Sequence, residues 1–159
     1  MSSSSSKFDR LVVAWCGDTQ MCLTRDGAIK QPNVITSVHK PDSSDEKERI
    51  EREGGCVSYL SNAWRINGSL SVSRSFGDVD YQPCVIATPD ILNVQLESGD
   101  EFIVIGCDGL WEALTFESVN AFVRENLQSN NLAELLALKA KDEGSLDNIT
   151  VIFIQLKSY

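Results

Sequence analysis

Glu101-Phe102-Ile103-Val104-Ile105-Gly106-Cys107-Asp108-Gly109-Leu110-Trp111-Glu112 is the stretch whose reading decides the fold. Phe102 to Ile105 is an uninterrupted apolar run behind the turn-like Glu97-Ser98-Gly99-Asp100. Its brevity, its β-branched content and the glycines near both ends predict a buried strand rather than a helix. Asp108 stands at the exit, and Gly109 is expected to let the backbone turn sharply there. A carboxylate at the end of a dry strand is costly unless something positive meets it. No Lys or Arg lies between Glu97 and Val123, so a local ion pair is not on offer and a metal ion is the natural alternative. The competing reading is an Asp that starts a turn or caps a helix, and Asp-Gly alone favours it.

Two further stretches repeat the pattern. Leu11 to Cys16 is apolar and runs into Gly17-Asp18, and Gly144-Ser145-Leu146-Asp147-Asn148 leads into the apolar run Ile149 to Leu156. Three strand termini thus each carry an Asp in a turn containing Gly or Ser. Clustered carboxylates with water suit a hard divalent cation such as Mg²⁺ or Mn²⁺.

With 159 residues, 42% hydrophobic and 23% charged, the chain has the size and composition of one globular domain able to bury a core. No apolar stretch is long enough to span a bilayer, and no signal-peptide core follows Met1, so cytoplasm or nucleus is the expected location. The net charge of −9 and the lack of a basic patch argue against nucleic acid or an anionic membrane as partner. Cys16, Cys22, Cys56, Cys84 and Cys107 form an odd set with no C-x-x-C pair, which predicts reduced, buried thiols rather than a disulfide frame or a zinc site.

Along the chain, the serine tract at 1–7 is a leader outside the fold, and 8–159 is the domain. Leu11–Cys16 and Gln20–Thr24 are expected as strands joined hairpin-fashion through Gly17-Asp18-Thr19, with Asp26-Gly27 closing a second turn. Asp42 to Glu53 predicts a helix with a Ser43/Glu46 capping box and a Gly54-Gly55 stop. Its many charges leave only Ile50 to bury, so it is expected to be a solvated surface helix without chemistry. Cys56–Leu60 and Trp64–Ile66 read as a strand pair around Ser61-Asn62-Ala63, whereas the periodicity of Asn67 to Asp78 is ambiguous. Val85–Ala87 and Ile91–Leu96 follow as strands. Thr115 can cap a helix over Phe116–Leu127, and Asn131 the next. Ile149–Leu156, apolar throughout, is expected at the centre of its sheet. Strands in hairpin-like runs with three helices predict an α+β sandwich rather than a βαβ array.

These stretches together resemble the metal-dependent protein serine/threonine phosphatases, the PPM or type 2C family. The matching residues are Trp15-Cys16-Gly17-Asp18-Thr19, His39-Lys40-Pro41, Glu48-Arg49-Ile50 with Gly54-Gly55, and Arg65-Ile66-Asn67-Gly68. They continue through Leu70-Ser71-Val72-Ser73-Arg74-Ser75-Phe76-Gly77-Asp78, Thr88-Pro89-Asp90, Cys107-Asp108-Gly109-Leu110-Trp111 and Gly144-Ser145-Leu146-Asp147-Asn148-Ile149-Thr150-Val151. The branch with calmodulin-kinase-phosphatase-like members is the expected neighbourhood. The resemblance implies an incomplete β-sandwich flanked by helices and a site for two or more Mg²⁺ or Mn²⁺ ions. It implies hydrolysis of phosphoserine and phosphothreonine in phosphoprotein substrates by a metal-activated water, with no protein nucleophile. By position it makes Asp108 and Asp147 ligands of the main metal site and associates Asp18 with an additional, weaker one. Glu112 stands where the family usually has Asp, keeping the charge on a longer arm. His39, Arg65 and Arg74 fall in the segment resembling the family's flap, with an architectural or substrate-orienting role.

The family's first half has no counterpart here: nothing in Met1–Arg10 matches the Asp-Gly-His-Gly stretch, the early Glu or the phosphate-gripping Arg of relatives. The expectation is therefore a partial phosphatase domain, the C-terminal half, with little or no activity alone. It is also expected to expose a sandwich face that self-associates or meets a partner. A non-catalytic binding module, a pseudophosphatase or docking domain, is the alternative, and a small acidic protein with incidental Asp-Gly turns ranks last.

Overall fold

The computed structural model describes residues 10–25, 33–34 and 36–156. The leader, the Asp26-Gly27 turn and the residues from 157 onward lie outside them. In chain order the elements begin with β1 (Arg10–Trp15), β2 (Gln20–Arg25), β3 (Asn33–Val34), α1 (Ser44–Arg52), β4 (Val57–Leu60) and β5 (Ala63–Ile66). A 3₁₀ turn at Val79–Tyr81 precedes β6 (Asp90–Gln95), β7 (Asp100–Gly106), α2 (Asp108–Trp111), α3 (Phe116–Glu125), α4 (Leu132–Asp142) and β8 (Val151–Gln155). The chain forms two units. One comprises Met1–Val13, Thr19–Thr36 and Leu92–Tyr159, and the other Ala14–Asp18 and Ser37–Ile91.

The first unit is built on the sheet β3-β2-β7-β8, antiparallel at every step, with β7 paired along its length to both neighbours. Alternation of side chains along each strand gives this sheet two apolar faces. Cys22, Phe102, Val104, Val151 and Phe153 turn one way, onto Leu110, Val119, Val123, Leu132, Leu136 and Ala140 of the helices. Met21, Leu23, Ile103 and Ile105 turn the other way, against Leu11, Val13, Val94 and Leu96 of the two-stranded β1-β6 layer. The run Phe102–Ile105 is apolar without a break because both faces of β7 are covered. The architecture is thus an α+β sandwich with helices on one side, as expected.

Several local expectations are overturned. β1 and β2 do not form a hairpin: β1 pairs with β6, while β2 pairs with β3 and β7. β8 is not central but the outermost strand of its sheet among the described residues. Its Ile152 and Ile154 pair with Ile105 and Ile103 on the face shared with β1-β6, and remain 50% and 40% exposed, because the two-stranded layer does not extend over them. The unbroken apolar run Val151–Ile154 signals two faces meant for burial, and here one of them is open. Residues 85–87 make no strand; Ile86 forms a single parallel bridge to Arg74.

The second unit packs Ile50 of α1 against Ile66, Cys84 and Val85. Its β4-β5 hairpin turns through Ser61 and Asn62 alone, both at positive φ (50° and 63°), the type I′ geometry that matches strand twist. The expected capping box on α1 does not form, since Ser43 makes no side-chain cap bond. Nor is α1 merely solvated: Glu46 is only 5% exposed, for a reason that appears below.

Candidate metal centre

The site grows from the shared end of β7 and β8. Their ladder finishes at Gly106↔Val151, and both chains then carry an Asp into a turn. Asp108 opens α2 rather than a sharp turn, and Gly109 is not at positive φ. Glycine is required there for close approach: a Cβ on Gly109 would lie 2.4 Å from the Asn148 carbonyl oxygen. The backbones of the two Asp-bearing segments touch, so no side chain fits between them.

Hydrogen bonds lace the segments together. The Cys107 amide donates to the Thr150 carbonyl (3.2 Å). The Cys107 thiol donates to the Asn148 carbonyl (3.1 Å) and accepts from the Thr150 amide (3.2 Å). The Ser145 hydroxyl donates to the Gly109 carbonyl (2.7 Å). Trp111, donating its indole N–H to both Gly106 (2.9 Å) and Gln20 (3.1 Å), fastens α2 to the sheet end.

The two carboxylates are held alike. Asp108 Oδ1 accepts the Gly109 amide (2.8 Å), and Asp147 Oδ1 accepts the Asn148 amide (2.6 Å). No other bond engages either side chain among the described residues, so one oxygen of each remains available. Glu112 follows one turn after Asp108, its amide bonded to the Asp108 carbonyl (2.8 Å). With Glu143, Gly144, Ser145, Leu146 and Asp147 it lines a cleft of about 610 Å³. Asp147 lines this cleft and Asp108 does not; carboxylate oxygens with water are the donor chemistry a divalent cation takes. Among the described residues no three of His, Cys, Asp and Glu form a group that could hold a metal ion, so the expected gathering of three carboxylates is not found there, and Asp108 and Asp147 are brought together only through their laced backbone segments.

The remaining predicted residues belong to the second unit. Asp18 follows Gly17, whose amide donates to His39 Nδ1 (3.0 Å) and whose carbonyl accepts the His39 amide (3.0 Å); Asp18 itself also has an interaction partner. Because Nδ1 is an acceptor, a neutral His39 carries its proton on Nε2, which faces Asp90 Oδ2 at 3.2 Å. His39 is buried and stacks on Trp15. Arg74 donates to Glu46 Oε1 (2.7 Å) and to Asp90 Oδ1 (2.7 Å), and Glu46 also takes Arg49 (2.9 Å) and the Ser73 hydroxyl. Burial alone would raise the Glu46 pKa, but the bonds from Arg74, Ser73 and Arg49 prevail and hold it at about 2. Asp90 is likewise lowered: burial opposes, and the contacts with His39 and Arg74 win. Arg65 donates to the Leu60 and Ser69 carbonyls and braces its hairpin.

All five cysteines are free, but only Cys22 and Cys84 are buried and Cys56 is exposed, so the expectation of buried thiols fails for the rest. Burial pushes the Cys22 thiol up to about 12, which keeps it protonated and inert. The sequence reading gave Glu46 a capping role and missed its bonds to Arg74, Arg49 and Ser73, and it missed the lacing by Cys107 and Ser145. The signal for Glu46 was an acid beside the only aliphatic residue of a charged helix. The motif containing Ser145 was visible, but not what its hydroxyl bonds.

The chain is similar throughout to known proteins. A family model described as "Protein phosphatase 2C" matches residues 2–149. Protein phosphatase 1E of Mus musculus is 40% identical over 152 residues, covering 92% of this chain and 20% of that protein. Protein phosphatase 1F of Mus musculus is 38% identical over 152 residues, covering 92% and 33% respectively. Among solved structures, a sex determining protein of C. elegans superposes with a TM-score of 0.86 at 25% identity, over 94% of this chain and 37% of that one. A phosphatase from a pathogenic strain of Toxoplasma gondii gives 0.78 at 29% identity, over 91% and 47%. This chain therefore spans less than half the length of each of these relatives.

Proposed function

From the premise that this chain belongs to the protein phosphatase 2C family, we propose that it is the cation-binding half of a phosphoserine/phosphothreonine phosphatase domain. In this reading Asp108 and Asp147 hold a divalent ion, Mg²⁺ or Mn²⁺, each through the oxygen that its neighbouring amide leaves available. When bound, such an ion supplies an activated water and neutralises phosphoryl charge. The chain's own contribution is to hold two carboxylates on touching turns and to leave an open cleft beside them for a phosphoprotein segment. Glu112 reaches over that cleft on a longer arm than the family's usual Asp and tunes its charge. Asp18 is proposed for an additional, weaker cation position, and His39 and Arg74 as its scaffold rather than as catalysts. Residues 8–159 are the functional domain, in the cytoplasm or nucleus, behind a leader at 1–7.

The observation that carries this reading is the pair of Asp side chains clamped in the same way on two laced turns. Titration of the chain with Mn²⁺ tests it. We expect saturable binding that Asp108→Asn and Asp147→Asn each weaken by about tenfold or more. Binding unchanged in both variants would sink the proposal.

Two carboxylates do not clamp a pair of ions about 3.5–4 Å apart. The chain alone is therefore expected to turn over a phosphomonoester several orders of magnitude more slowly than relatives of full length. One observation favours a second reading, a docking module without turnover: no third metal-binding side chain joins the pair among the described residues. Adding the N-terminal portion of a related phosphatase in trans separates the two readings, because restored hydrolysis supports the first and binding without hydrolysis the second. In either case the open β8 face is proposed to self-associate or to take a partner.

A further inference from the structure

We propose that Cys107 and Ser145 are positioning residues that set the separation of the Asp108 and Asp147 carboxylates and thereby the affinity of the cation site. The inference rests on the reading of those two Asp residues as cation ligands. The β7-β8 ladder ends at Gly106↔Val151 and one further backbone bond, from the Cys107 amide to the Thr150 carbonyl, continues it, but neither reaches the Asp108 and Asp147 turns themselves. Beyond that rung two strands ordinarily splay. Here each segment is gripped by a side chain of the other. Cys107 reaches from the Asp108 side to the Asn148 carbonyl and the Thr150 amide. Ser145 reaches from the Asp147 side to the Gly109 carbonyl.

The two grips flank the point where the Gly109 and Asn148 backbones meet. Backbone contact sets the closest approach, and the two side chains prevent opening. The roles demand groups that donate without adding charge. A thiol that both donates and accepts, and a hydroxyl that donates, satisfy that demand. Neither residue is a ligand of the ion in this reading. Each acts through the placement of Asp108 and Asp147, as outer-shell partners act on metal ligands elsewhere.

The test is an Mn²⁺ titration of the full chain, followed by the electron paramagnetic resonance signal of free aqueous Mn²⁺. It compares Cys107→Ala, Cys107→Ser, Ser145→Ala and Ser145→Thr with Asp108→Asn and Asp147→Asn. Expected are losses of affinity of about 10–100-fold for the two alanine variants, within the range typical of lost outer-shell partners. Most of the affinity should return in Cys107→Ser and Ser145→Thr, which keep a hydroxyl donor. A role confined to fold stability would lower the melting temperature without this split between alanine and hydroxyl variants. Should Cys107→Ala not fold, the Ser145 pair decides. Alanine variants that bind as wild type, while Asp147→Asn does not, would overturn the lacing and leave the ligand reading intact. Wild-type binding in Asp108→Asn and Asp147→Asn as well would overturn both.

Discussion

Glu46 shows what one buried carboxylate can organise. It accepts from Arg74, Arg49 and Ser73, so three donors from two segments converge on a side chain that is 5% exposed. Removing it takes from Arg74 and Arg49 the carboxylate they share, leaving Arg74 with Asp90 and the Thr88 carbonyl and Arg49 with the Cys84 and Ser73 carbonyls. Glu46→Ala is expected to cost about 3–5 kcal/mol, the usual consequence of breaking a buried pair, measurable by urea denaturation at neutral pH. The pH dependence has a definite sign. The folded pKa of about 2 lies below the ordinary value of 4.5, so the stabilisation is fully present above 4.5 and is lost as pH falls toward 2. Asp90, also lowered, acts in the same direction. Glu46→Gln should flatten that acid limb relative to wild type, and an unaltered limb would refute the assignment. None of this was legible from the helix alone. Arg74 lies 28 residues away, and a sequence of alternating charges looks the same whether its acids face water or a distant guanidinium.

Among the elements, the helices test how far capping rules reach. Thr115 accepts the Ser118 amide at the start of α3, as its sequence position suggested, whereas Ser43 makes no such bond at α1. Thr115→Ala should therefore cost about 1 kcal/mol and Ser43→Ala close to nothing, a contrast that thermal melts of the two variants can read. The reciprocal half of the box at α1 is taken up elsewhere as well, since the Glu46 carboxylate is bonded to Arg74 and the Ser43 amide to the Lys40 carbonyl. Gly109 is a second case of a right residue read for an incomplete reason. Asp-Gly signalled a turn, but the glycine is needed because the Asn148 carbonyl comes too close. Gly109→Ala should destabilise by about 1–3 kcal/mol through forced separation of two backbones, and should weaken Mn²⁺ binding in the same titration. Contacts of this kind join residues far apart in the chain, so no window of sequence contains them.

For the molecule as a whole, the two-faced strand β7 and the helix stripes on α3 and α4 were legible because apolar periodicity records burial directly. The place of β8 was not, because Ile152 and Ile154 record burial that the described chain does not supply. The sheet ends in a strand with no charge, proline or bulge between Val151 and Gln155, and so lacks the usual protection of an edge. Light scattering is expected to show concentration-dependent association, and Ile152→Lys should suppress it along with binding of a hydrophobic dye. Monodisperse wild-type chain at high concentration would count against the idea.

That outermost position bears on more than solubility. Asp147 sits on the chain entering β8, and among the described residues β8 is hydrogen-bonded to a single strand. An ion gripping Asp108 and Asp147 together must also fasten the rim of the sheet. Thermodynamic reciprocity then requires that whatever secures the rim tightens the ion by the same factor. Deuterium uptake by the amides of Val151–Gln155 should fall as Mn²⁺ is added, which would make the rim a remote gauge of occupancy.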